Sequence, residues 1–190
     1  NPAAVVPLDQ WLSPQKMQSI AQENNLSETA FFCHNGKYFD IRWFTPNGEV
    51  ELCGHATMAA AFVVFNFIDN NKDKILFKSL SGDLVVQKNG DLFKMDFPSQ
   101  NPAKCKLPRM LVNGLGAKPE ACYLNEDYLA VFKSEKDLRL IKPDFKILSM
   151  LDSRGVIITA PGNKYDFVSR AFFPKYGILE DPVTGSAHTK

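Results

Sequence analysis

The run Arg42–Thr57 and the apolar segment behind it limit the fold most. Trp43 and Phe44 end a strand, and Pro46, Asn47 and Gly48 are turn formers. The chain then enters a helix at Cys53-Gly54-His55-Ala56-Thr57. From Met58 to Ile68 nearly every residue is apolar, broken only by Asn66. Such a segment predicts a helix buried on every side, too short to span a bilayer. Its N-terminus leaves backbone N–H groups without partners and carries a partial positive charge, a setting suited to a carboxylate.

The pattern recurs near the end of the chain. Arg170-Ala171-Phe172-Phe173-Pro174 repeats the spacing of Arg42-Trp43-Phe44-Thr45-Pro46, and Lys164-Tyr165 repeats Lys37-Tyr38. Gly185-Ser186-Ala187-His188 then stands where Gly54-His55-Ala56-Thr57 stands in the first copy, after a linker about three residues longer. Two halves built alike suggest a pseudo-twofold molecule.

The rest of the chain reads as follows. Residues 13–24 form an amphipathic helix, with Ser13 as N-cap, Pro14 at the first position and Met17, Ile20 and Ala21 inward. Asn35-Gly36 marks a hairpin between 30–34 and 38–44. Strands are expected at 75–77, 84–87 and 92–97, so one buried helix is flanked on both sides by short antiparallel strands. Residues 98–108 read as a linker. A short helix closed by Gly116, strands at 122–124 and 128–132, a helix at 144–151 and strands at 156–160 and 165–173 follow.

Several short motifs carry a family resemblance. They are Asn24-Asn25-Leu26-Ser27-Glu28-Thr29-Ala30-Phe31, Arg42–Pro46, Leu52–Thr57 and Glu180-Asp181-Pro182-Val183-Thr184-Gly185-Ser186-Ala187-His188. In this order they resemble the PhzF-like family, which is similar in fold to diaminopimelate epimerase and proline racemase. The resemblance implies an α+β fold of two similar domains, at 1–98 and 108–190. Each would be a mostly antiparallel β-barrel around a central buried helix, with the active site in the cleft between them. It also places a strand before Asn1 and puts Lys190 in the first turn of the second core helix, so the sequence reads as a portion of a longer chain.

The resemblance also implies roles. Glu28 would be the general acid/base, with His55 and Asp181 as its catalytic companions. Gly54, Gly185 and Ser186 would bind substrate. Read alone, Glu28 is a surface carboxylate beside a helix end, and Asp181 before Pro182 is a turn or cap residue. Related racemases use two cysteines. The matching positions here are Cys53 and Asp181, which argues against two-thiol racemisation. Cys53 by itself reads as a small buried residue, although a helix N-terminus can activate a thiol. His34 and His188 read as structural or surface groups.

Composition narrows the partners. With 45% hydrophobic residues and a formal net charge of +1, the chain has no basic excess for nucleic acid. No segment reads as a membrane span or signal peptide. Cys33, Cys53, Cys105 and Cys122 show neither metal spacing nor a disulfide framework, so a cytoplasmic setting with free thiols is expected. There is no dinucleotide loop or P-loop, and Gly114-x-Gly116 is too little to count as one. The reading is a cofactor-independent isomerase, without metal, acting on a small carboxylate-bearing metabolite, with a homodimer implied by the resemblance. A binding protein on the same scaffold, or a racemase using Cys53, are the alternatives.

Overall fold

The computed structural model describes residues 1–97 and 99–190, and the chain divides into two units, Asn1–Phe97 and Pro98–Lys190. Pro98, at the edge of the expected linker, lies outside the described residues.

The first unit opens with β1 (Ala3–Leu8) and α1 (Pro14–Asn24). The Ser13 side chain accepts from Lys16 N–H, and Met17 and Ala21 are buried. Asn25 ends the helix with φ 47°, a left-handed conformation that asparagine tolerates. That reversal sends the chain into β2 (Glu28–Asn35), parallel to β1. The expected hairpin forms, Gly36 taking φ +64°, and leads to β3 (Tyr38–Thr45) and the short β4 (Gly48–Val50). Then come α2 (Gly54–Val63) and a π-helical turn, Val64–Ile68. Strands β5 (Lys74–Ser79), β6 (Gly82–Asn89) and β7 (Leu92–Met95) follow. The sheet order is β1-β2-β3-β5-β6-β7, with β4 on β3.

This sheet curls into a half-barrel against α2. Ala30, Phe32, Ile41 and Trp43 pack on Ala56, Ala60, Ala61, Val64 and Phe65. The alternate strand residues Phe31 and Phe44 face α1, with Met17 and Ala21. One expectation fails in this unit. The core helix is not buried on every side: Phe67 is 75% exposed, and Phe62 and Ile68 are also exposed. The small residues Ala56, Ala60 and Ala61 of α2 are fully buried against the sheet, while Phe62 keeps about half its surface in solvent, so apolar composition alone overstated burial.

The second unit has β8 (Ala103–Lys104), α3 (Arg109–Leu115), β9 (Ala121–Leu124) and β10 (Tyr128–Val131). It continues with α4 (Glu135–Leu140), α5 (Phe145–Leu148), β11 (Val156–Pro161), β12 (Phe167–Phe173) and β13 (Ile178–Asp181). The order is β13-β12-β11-β10-β9-β8. Within the expected linker, β8 pairs with β9 instead of running as coil. Two elements, α4 and β13, had no sequence expectation. The first is one short turn of helix capped by Ser134, and the second is held by its pairing with β12.

The repeat seen in sequence is a repeat in topology. In each half a parallel pair joined through helix is followed by two antiparallel partners: β1-β2-β3-β4 and β10-β11-β12-β13. The repeated arginines make the same fork. Arg42 Nε and Nη2 donate to Glu49 at 2.7 and 2.7 Å, and Arg170 Nε and Nη2 donate to Glu180 at 2.8 and 2.9 Å. Where the first half enters α2, the second enters a 3-10 turn, Gly185–Thr189. The second unit's larger core lies on the opposite face of its sheet, against α3, α4 and α5. Among the described residues, the expected central helix of that unit is represented only by this turn.

Candidate active site

Glu28 is the first residue of β2, opposite Ala3 of β1. Asn24 Nδ2 donates to Thr29 Oγ1 at 3.1 Å and ties the end of α1 to the start of β2. The carboxylate therefore sits on a well-held corner. Twenty-five residues later the chain enters α2, with Cys53 as N-cap in extended conformation. The Cys53 carbonyl accepts from Thr57 N–H at 3.2 Å and from Thr57 Oγ1 at 2.6 Å. These bonds fix the first turn and with it His55.

Glu28, Cys53 and His55 meet here. His55 Nε2 lies 3.0 Å from Glu28 Oε2, at ion-pair distance but without the alignment of a hydrogen bond. His55 Nδ1 lies 3.6 Å from Cys53 Sγ. The Glu28 and His55 side chains are 19% and 27% exposed, while Cys53 is buried. Burial, and then the nearby Glu28 charge, push the Cys53 thiol up to about 12. The amides of His55 and Ala56 pull the other way without making a capping bond. A thiol in that balance is protonated at neutral pH. The carboxylate and imidazole beside it are the groups placed to move a proton.

Gly54 has a packing reason as well as the expected functional one. A Cβ there would stand 3.1 Å from the Phe97 ring. At Gly185 a Cβ would meet nothing within 4 Å, so packing does not ask for glycine at that position.

The other expected residues lie in the second unit. Asp181 closes β13 and accepts from the Thr184 hydroxyl. Ser186 Oγ accepts from Arg154 Nη2 at 3.3 Å, which leaves its own O–H to donate. Arg154 also forks onto Asp127, which is completely buried, and Lys190 Nζ is 3.2 Å from Asp127 Oδ2. Burial alone would raise the Asp127 carboxyl, but Arg154 and Lys190 outweigh it and hold it below the usual carboxylate range. Sequence reasoning missed this network. Asp127, Arg154 and Lys190 are 27 or more residues apart and no short motif links them. His188 packs on Phe167, with ring centroids 5.6 Å apart, and the exposed His34 packs on Phe39 at 4.8 Å.

The fold, a half-barrel in a chain that repeats its own topology, is one that solved epimerase structures also have. A predicted epimerase of Pseudomonas aeruginosa shares it with a TM-score of 0.64 over 98% of this chain and 72% of that one, at 17% identity. The model of the PhzC-PhzF family, described as phenazine biosynthesis-like protein, matches residues 1–190, and the chain belongs to that family. It is 48% identical over 189 residues to an uncharacterized isomerase of Pseudomonas aeruginosa, covering 100% of this chain and 73% of the relative. A PhzF-family crystal structure from Enterococcus faecalis matches with a TM-score of 0.95 and 48% identity, over 100% of this chain and 74% of that one. Among the described residues no helix is long and apolar enough to cross a membrane.

Proposed function

We propose that the chain is an isomerase that moves a proton on a small carboxylate-bearing metabolite, with Glu28 as general acid/base and no cofactor. The observation that carries this reading is the 3.0 Å contact of Glu28 Oε2 with His55 Nε2 at the start of α2. Glu28 takes a proton from carbon next to an electron-withdrawing group, and the electron pair left behind delocalises into that group. The same carboxyl then returns the proton on the same face, to a conjugated carbon. His55 orients the carboxylate. The amides at the start of α2 suit the substrate carboxylate and the negative charge that develops. Asp181, Gly185 and Ser186 enter the proposal through the family motif as substrate-holding groups. A cytoplasmic homodimer completes it.

The competing racemase reading makes Cys53 the base. Burial beside Glu28 disfavours the thiolate that reading requires. Solvent deuterium exchange separates the two. The protein is incubated in D₂O with a panel of small carboxylic and amino acids, and incorporation is read by NMR. Glu28→Gln is expected to lower exchange by at least about a hundredfold, the usual scale for an acid/base group. Cys53→Ser is expected to retain exchange. The reverse pattern would move the base to Cys53, and no exchange with any compound in the parent would favour a binding protein.

A further inference from the structure

We infer that Glu28, Cys53 and His55 also form a binding site for a borderline divalent transition metal, Zn²⁺ foremost, whose occupancy closes the site. One donor atom from each residue lies within 4.8 Å of the others. Zinc bonds of about 2.0–2.3 Å in a tetrahedron put neighbouring donors roughly 3.3–3.8 Å apart. The 3.6 Å from Cys53 Sγ to His55 Nδ1 already falls in that range. Glu28 Oε2 rests at the other ring nitrogen, Nε2, so its side chain must swing toward the Nδ1 edge to join the set. The fourth position stays open for water.

The donor chemistry favours this metal class. Sulfur, imidazole nitrogen and carboxylate oxygen together are a zinc set, whereas Mg²⁺ and Ca²⁺ take oxygen alone. A thiolate and a carboxylate carry two negative charges, which balance a divalent ion despite the positive end of α2. The metal takes the place of the thiol proton that burial otherwise retains. A second observation points the same way. Glu28 Oε2 is a buried atom without an aligned hydrogen-bond partner among the described residues.

A metal here would occupy the carboxylate that the proposed reaction needs. That consequence rests on the proposed function, but the binding does not, so binding is measured without substrate. Co²⁺ is titrated into metal-free protein and sulfur-to-metal charge-transfer absorption is followed, then reversed with Zn²⁺. One equivalent is expected to saturate the band. Cys53→Ser should abolish it, and Glu28→Gln should weaken binding by at least about tenfold. Cys105 and Cys122, with sulfurs 3.4 Å apart, are the other thiol pair, so a Cys105→Ser/Cys122→Ser variant is the control and should keep the band. Should Cys53→Ser not fold, protection of Cys53 from alkylation by Zn²⁺ in the parent reads the same contact. Absence of the band in the parent, its survival in folded Cys53→Ser, or its loss in the double variant overturns the site.

Discussion

The two halves run the same path and fill it differently. Trp43 and Ala171 occupy equivalent places after the repeated arginine. Trp43 is buried in the core around α2, while Ala171 belongs to a small cluster with Ile157, Phe173 and Ala187. One residue later the relation changes. Phe44 faces α1 in a small cluster, and Phe172 faces α5 in the second unit's main core. Each unit therefore puts its bulk on a different face of an equivalent sheet. Topology repeats because strand pairing and the arginine fork repeat. The hydrophobic load can differ because side chains on alternate faces are chosen independently.

The polar groups differ in the same way. The first unit holds a partly exposed Glu28–His55 pair beside a thiol, and the second holds a buried charge network reaching Ser186. The role proposed for Glu28 needs a carboxylate that is not neutralised by a full fork of arginine. Asp127, so neutralised, is suited to hold structure instead. The pairing at each corner thus sets the role proposed for Glu28 apart from the structural role of Asp127.

The largest expected effect tests the hydrophobic contrast. Trp43→Ala should cost about 3–5 kcal/mol in chemical denaturation, the range for emptying a large aromatic site. An effect below about 1 kcal/mol would mean that the half-barrel does not depend on its inner face.

Next comes the buried network. Asp127→Asn should cost about 2–3 kcal/mol near neutral pH, at the low end for a broken buried pair because Arg154 keeps some solvent contact. The folded Asp127 carboxyl is depressed, so its contribution is full above the unfolded value of about 3.9. It is lost as pH falls through the lower folded value. Denaturation midpoints across acid pH should show that loss in the parent and lack it in the variant.

The smallest effect separates the two forks. Arg42→Gln removes a partly exposed ion pair and should cost about 0.5–1 kcal/mol. Arg170→Gln should cost about 1–2 kcal/mol, because Arg170 Nη1 also donates to the carbonyls of Leu138 and Ile141 at 3.2 and 2.8 Å. Equal effects in thermal melts would make the forks true equivalents.

Much of this was legible in the chain. Ser13-Pro14, Asn35-Gly36 and the paired Arg-x-Phe segments act over a few residues, and local sterics and capping decide such elements. So α1, the first hairpin and the duplicated strands fell where expected. Burial of α2 did not, because an apolar run says nothing about how much sheet is available to cover it. The strand β8 was also hidden, since a short strand is defined by its partner.

Sequence alone determined the repeat, the helix start at Gly54 and the residues Glu28, Cys53 and His55 as chemistry-bearing types. Only tertiary structure decided that those three converge, that Cys53 is held protonated, and that Asp127, Arg154 and Lys190 form one network. The reason is distance along the chain: groups 25 or more residues apart meet through strand pairing and packing, which no local pattern encodes.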